Sequence, residues 1–282
     1  MPKKWLIIDL INWAEVYFKQ KNFNNPRNEI ELIIRFVLKI KRIDIYLSFD
    51  RILIQKELEL IKKFIKRRIK KEPIQYITNL SEFYGIEYFV NEHVLIPRPE
   101  TEKLVELAIK KLKRVKNPTI LDIGVGSGCI AITMAMENKD YKVIGIDISD
   151  NAIKIANKNK NKYNLNNVEF FNMNILKQIP KENFDLIISN PPYISKSEFS
   201  GLMEDVRDYE PKIALTDYLD GLVFYRRYSK IAKQILKEGG IMILEVGLGS
   251  HPRKVKDIFI NQGYRNAKLL KDFNGDYRIL LV

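Results

Sequence analysis

The 282-residue chain is poor in the residues that build covalent or metal-held sites, with one cysteine and two histidines. A lone cysteine, Cys129, excludes a disulfide framework and points to a reducing compartment. His93 and His251 cannot form a His/Cys cluster at metal-ligand spacing, so no metal is expected. Long apolar runs are also missing. Met1 to Phe18 is apolar but broken by Asp9, Asn12 and Glu15, and no run approaches the ~20 residues of a membrane span. Neither a signal peptide nor a membrane partner is expected, and the reading is a cytoplasmic protein. The second half has no internal repeat and no Pro/Gly/Ser-rich linker.

What is present is ordinary for a globular chain, 46% hydrophobic and 29% charged, with ample material for a core. The net charge is +13. Lys, Ile and Asn are all abundant, so single lysines read as compositional bias. The overall field can still help the protein meet a partner near RNA. No obligatory nucleic acid is expected.

Residues 1–74 predict a small helical domain. Leu6, Ile7, Leu10, Ile11, Ala14 and Phe18 keep helical spacing, and Asn25-Pro26 opens a second helix. Leu53 to Lys71 reads as a longer amphipathic helix with a strongly basic end, a solvated face ahead of a nucleic-acid stripe. No chemistry is visible there, and the domain reads as a recognition module. Residues 75–98 turn β-rich, from Tyr76-Ile77 through Phe83-Tyr84 and Tyr88-Phe89-Val90 to Val94-Leu95-Ile96, and predict a linking hairpin. Pro97-Arg98-Pro99-Glu100-Thr101-Glu102 then leads into a helix. Thr101 fits a cap and Arg98 and Glu100 fit surface charges, while their place just before the cofactor domain equally fits a lid or a cofactor contact.

Residues 99–282 alternate strand and helix, the pattern of an α/β domain with a parallel sheet and helices on both faces. The first strand runs into Gly124-Val125-Gly126-Ser127-Gly128 before a helix. These glycines let a ligand approach the backbone. The spacing is not the dinucleotide G-x-G-x-x-G, and it suits a ligand that brings a carboxylate or amine to the loop. Asp147 ends the second strand ~20 residues on, where an acid takes ribose hydroxyls, and Ser149 is a good N-cap for the next helix. Asn174 closes the third strand, where an amide can read an adenine edge with Ile175 on its face.

The fourth strand, Phe184 to Ser189, delivers Asn190-Pro191-Pro192-Tyr193 to the same edge. Two prolines stop the strand and stiffen the turn, since neither has an N–H and each restricts the residue before it. The Asn190 side-chain oxygen and the Pro191 carbonyl can accept the two hydrogens of a planar –NH2 group. Tyr193 can stack on its face. On these four residues alone a surface turn and an active site both stand.

Glycine loop, ribose acid and Asn-Pro-Pro-Tyr together resemble S-adenosylmethionine-dependent methyltransferases that modify planar amino groups. The resemblance is closer to the HemK/PrmC family, the protein-(glutamine-N5) methyltransferases of peptide chain release factors. It is carried by Glu72 to Ile77, Glu82 to Gly85, Val94 to Glu102, Leu121 to Gly128, Asn190 to Ile194, Tyr209-Glu210-Pro211, Asp220-Gly221-Leu222 and Glu245-Val246-Gly247. Where the family has an acidic residue closing the third strand, this chain has Asn174, and Asp217-Tyr218 replaces its usual Gly-Gly.

The resemblance implies the class I methyltransferase fold, a Rossmann-like, mostly parallel seven-stranded sheet, behind an N-terminal helical domain joined by a β-hairpin. It implies methyl transfer from S-adenosylmethionine, leaving S-adenosylhomocysteine, to the glutamine of the Gly-Gly-Gln motif in class I release factors. Gly124 to Gly128, Asp147, Asn174, Ile175 and Asn190 would hold the cofactor. Asn190, Pro191, Pro192 and Tyr193 would hold the acceptor amide. A monomer is expected. The rival readings are a ribosomal-protein glutamine methyltransferase, an adenine-N6 nucleic-acid methyltransferase and a non-catalytic RNA-binding module.

Overall fold

The apolar spacing at the start of the chain builds helices. The computed structural model describes residues 4–282. The chain divides after Asn79 into two compact units.

The first unit holds α1 (Ile7–Gln20), α2 (Pro26–Leu38), α3 (Arg42–Leu47), α4 (Gln55–Arg68) and α5 (Ile74–Thr78). Three of these helices start alike. Asp9, Asp44 and Glu57 each turn back to accept the N–H just before the helix, at 3.4, 2.8 and 3.1 Å. An acid there also meets the positive end of the helix dipole. Ile7, Ile11, Phe18, Ile30, Ile34 and Ile61 fill the core. Full burial of each such side chain is worth about 1.5–3 kcal/mol.

Two features of this unit correct the sequence reading. Tyr76 and Ile77 lie in α5, not in a strand. The basic end of α4 is only partly a solvated stripe. Lys62, Lys63 and Lys66 are exposed, but Arg68 is buried and grips Glu29 through both carboxylate oxygens at 2.7 and 2.9 Å.

The second unit opens with the hairpin β1 (Leu80–Phe83) and β2 (Ile86–Phe89). The hairpin therefore packs with this unit. Asn159 seals it by accepting the Phe89 N–H at 2.8 Å and donating to the Phe89 carbonyl at 3.0 Å. Val94 to Ile96 follows outside any strand, with Val94 in a turn closed by its N–H on the Asn91 carbonyl at 3.1 Å.

Next come α6 (Pro99–Leu112), β3 (Thr119–Ile123), α7 (Cys129–Glu137), β4 (Lys142–Asp147), α8 (Asp150–Lys162), β5 (Val168–Asn172) and β6 (Phe184–Ser189). The short helices α9 (Glu204–Tyr209) and α10 (Lys212–Leu215) precede α11 (Val223–Ile235), β7 (Leu236–Glu245), α12 (His251–Asn261), β8 (Lys268–Lys271) and β9 (Tyr277–Leu281). Among the described residues one seven-stranded sheet forms in the order β5-β4-β3-β6-β7-β9-β8. Only β9 runs against the rest.

Alternation along the strands feeds two cores. Ile120, Leu186, Ile188 and Ile243 pack under α6 and α7, while Leu121, Ile123, Ile187 and Leu244 pack under α11 and α12. Both faces are covered, so the central strands read as mostly apolar runs, broken in β3 by Asp122 and in β6 by Asp185. This is the class I methyltransferase fold.

Candidate active site

In β3 and β6, Ile123 pairs with Ser189, so the glycine loop and Asn190 leave the sheet from adjacent positions. The strand order reverses here. β4 and β5 extend one way, β6 and β7 the other. A crevice outside the strand ends at such a switch point is where open α/β sheets take ligands.

The glycine loop is held from behind. The N–H groups of Gly124 and Val125 donate to the Ile146 carbonyl at 2.8 and 3.2 Å. Gly124, Gly126 and Gly128 have φ of +81°, +51° and +82°, where a side chain is strained. A Cβ at Gly124 or Gly126 would meet nothing within 4 Å, so the backbone faces open space there. A Cβ at Gly128 would meet Ile132, Ala156 and Phe170 at 3.0–3.3 Å.

Asp147 ends β4 with both oxygens engaged, Oδ2 by the Gly126 N–H at 3.0 Å and Oδ1 by the Ser149 N–H at 2.9 Å. Burial pushes its carboxyl up and these N–H groups pull it back. Each oxygen keeps a lone pair for a further donor. Ser149 caps α8, accepting the Ala152 N–H at 3.2 Å. Asn174 Oδ1 accepts the Leu176 N–H at 3.0 Å, which fixes the turn after β5, and Ile175 beside it is buried.

A cavity of about 280 Å³ gathers Gly124, Gly126, Asp147, Asn174, Ile175, Asn190, Pro191 and Pro192 on one wall system. Val125, Ser127 and Gly128 turn to the buried side of the loop and do not line it. Tyr193 does not line it either. Its hydroxyl receives Arg278 Nη2 at 3.0 Å and lies 3.4 Å from Glu245 Oε1.

Asp122 escaped the sequence reading, and Thr101 and Arg98 take partners that it did not give. Asp122 in β3 is fully buried; its Oδ2 accepts the Ala131 N–H at 3.1 Å and its Oδ1 has no partner. Burial pushes this carboxyl up to about 7. A charged residue inside an apolar strand was the signal available for it. Thr101 does not cap α6, whose N-cap is Arg98, but donates to the buried Glu245 at 2.6 Å. Arg98 is no free surface charge, since it pairs with buried Glu210.

Comparison with known proteins supplies the family. The PrmC N-terminal domain model matches residues 9–78, and the methyltransferase small domain model matches residues 100–205. The release factor glutamine methyltransferase of Fusobacterium nucleatum subsp. nucleatum is 40% identical over 277 residues, 98% of this chain and 78% of that protein. The chain belongs to the release factor glutamine methyltransferase family. The member from Geobacter sulfurreducens is 36% identical over 279 residues, 99% of this chain and 97% of that protein. A crystal structure of a methyltransferase from Pyrococcus furiosus shares the fold, with a TM-score of 0.51 at 20% identity over 81% of this chain and 97% of that one.

Family membership makes this chain an enzyme that uses S-adenosylmethionine. The pocket fits that cofactor by its own chemistry. Two glycines open the backbone toward it, an acid ends the second strand, and Ile175 offers an apolar face beside Asn174. Among the described residues no cluster fit to hold a metal occurs, and no helix is long and apolar enough to cross a membrane.

Proposed function

We propose that this enzyme methylates the side-chain amide nitrogen, N5, of the glutamine in the Gly-Gly-Gln motif of class I peptide chain release factors, in the service of translation termination. The observation that carries the reading is the placement of Asn190-Pro191 at the switch point, lining the same cavity as Gly124 and Gly126. An amide nitrogen is a poor nucleophile because its lone pair is delocalised into the carbonyl. What such an acceptor needs is alignment, and alignment can supply about 7–11 kcal/mol.

When bound, S-adenosylmethionine supplies a methyl group already activated by its sulfonium. Gly124 and Gly126 would border its methionine portion, Asp147 its ribose, and Asn174 with Ile175 its adenine. Asn190 Oδ1 and the Pro191 carbonyl would accept the two N–H groups of the acceptor and turn its lone pair toward the methyl. The nitrogen, far more acidic once alkylated, would then release one of these hydrogens as a proton. Tyr193 anchors the far end of the turn through Glu245 and Arg278. Pro192 and Ile213, also on the cavity wall, help exclude water. Residues 1–74 act as the recognition domain, and the enzyme works as a cytoplasmic monomer.

The test is transfer of labelled methyl to purified release factor, beside a copy with the motif glutamine replaced. Label on the normal factor alone is expected. Label only on a ribosomal protein or on nucleic acid would overturn the acceptor. Light scattering of the purified protein checks the monomer.

A further inference from the structure

The amide of Asn190 is not free to choose its orientation. Its Nδ2 donates to Thr101 Oγ1 at 3.1 Å, from the first turn of α6. Thr101 is buried, and its Oγ1 donates in turn to Glu245 Oε2 at 2.6 Å. Glu245, at the end of β7, has no exposed surface, and its other oxygen faces Arg278 Nη2 at 3.1 Å.

A hydroxyl has one hydrogen to give, and an ionised carboxylate can only accept. With the Thr101 hydrogen committed to Glu245, Thr101 offers Asn190 nothing but lone pairs. Only the –NH2 side of an amide can meet them. The oxygen is then left on the opposite branch of a side chain that lines the cavity. The Thr101 hydrogen, given to Glu245, by itself decides which end of the Asn190 amide faces Thr101.

We propose that Thr101 and Glu245 are positioning residues that lock the Asn190 amide with Nδ2 inward and Oδ1 toward the acceptor. The proposal rests on the role of Asn190 given above. Arg278 sustains the lock by keeping a positive charge against Glu245, and Tyr193 shares that carboxylate. Burial pushes the Glu245 carboxyl up, with a smaller push from Glu100, while the Thr101 hydroxyl, Arg278 and Tyr193 draw it back. Turned over, the amide would set its oxygen against the lone pairs of Thr101 and present –NH2 to an acceptor that is itself a donor.

The experiment is steady-state methyl transfer to release factor by Thr101→Val, Thr101→Ser, Glu245→Gln, Asn190→Ala and the Thr101→Val/Asn190→Ala pair. Thr101→Val keeps the shape of the side chain and removes the hydroxyl. Glu245→Gln can donate to Thr101 and so send the hydroxyl hydrogen to Asn190 Oδ1, reversing the lock. Both should lower kcat about 10- to 100-fold, the loss of one aligned hydrogen bond, with KM for S-adenosylmethionine unchanged. Thr101→Ser should restore the rate. The double variant should be no slower than Asn190→Ala alone, because Thr101 acts only through Asn190. If Thr101→Val melts below the assay temperature, Thr101→Ala carries the same comparison.

Full kcat in Thr101→Val and Glu245→Gln beside a crippled Asn190→Ala overturns the lock and leaves the Asn190 role standing. A further fall in the double variant also overturns it, since mere packing would add. Near-normal turnover by Asn190→Ala overturns the role of Asn190 itself.

Discussion

Arg98 Nη2 lies 2.5 Å from Glu210 Oε1, and Oε2 of the same carboxylate accepts the Ile96 N–H at 3.1 Å. Glu210 is 4% exposed. One buried acid therefore pins the chain just after Val94 and Leu95 to the chain just before Pro211 and Ile213, and all four of these residues line the cavity. Burial pushes the Glu210 carboxyl up, and Arg98 with the Ile96 N–H draws it back.

Removing Arg98 leaves that acid buried with a single N–H partner. Breaking a buried pair from one side costs about 3–5 kcal/mol; Arg98 is part-exposed, so Arg98→Ala should lose about 3 kcal/mol. Urea unfolding measures it. A loss below about 0.5 kcal/mol would mean the pin holds nothing.

Gly221 stands with φ +78°, and a Cβ there would lie 2.3 Å from the Tyr193 carbonyl oxygen. Neither the backbone nor a carbonyl can yield cheaply, so Gly221→Ala should shift the Asn190–Tyr193 turn. A cost of about 2 kcal/mol in stability is expected, from strain and contact together, with a loss of kcat. Gly201, where a Cβ meets nothing within 4 Å, is the control and should tolerate alanine. Equal behaviour of the two variants would count against the argument.

Gly145 lies in β4 under the glycine loop. A Cβ there would come 2.5 Å from Val125 Cγ1 and 2.6 Å from Phe170. Overpacking of this kind costs about 1–3 kcal/mol, and here the push falls on Val125, between two glycines that line the cavity. Gly145→Ala should weaken S-adenosylmethionine binding in calorimetry more than it lowers the unfolding midpoint.

Asp122 makes stability depend on pH. Its pKa is raised from 3.8 to about 7 by burial, so its contribution is full below 3.8 and is lost as pH rises through about 7. At 1.36 kcal/mol per pKa unit the span is on the order of 4 kcal/mol. Urea unfolding of the cofactor-free protein at pH 5 and pH 8 should show the loss. Asp122→Asn, which cannot ionise, should shrink the difference between the two pH values. An unchanged difference would place the titration elsewhere.

Much of the second unit was readable locally. The strands Thr119–Ile123 and Phe184–Ser189 end where the sequence places them, because runs buried on both faces stay mostly apolar and a glycine loop or two prolines must stop them. Ser149 caps its helix as expected, since a cap needs only the next few residues. The short elements were less legible. Tyr76-Ile77 is an apolar pair with no period of its own and folds as helix, and α3 and β8 are too brief to announce themselves.

What the sequence by itself determined is the order of strands and helices, the glycine loop, and the acid, amides and prolines at the strand ends. Only the tertiary structure decided which partners hold them. Thr101 and Glu245 lie 144 residues apart, and Arg98 and Glu210 lie 112 apart. A hydrogen bond across such a separation leaves no spacing to read. The parallel sheet brings the ends of distant strands to one edge, and there each buried polar group must find its partner or bear the cost of having none.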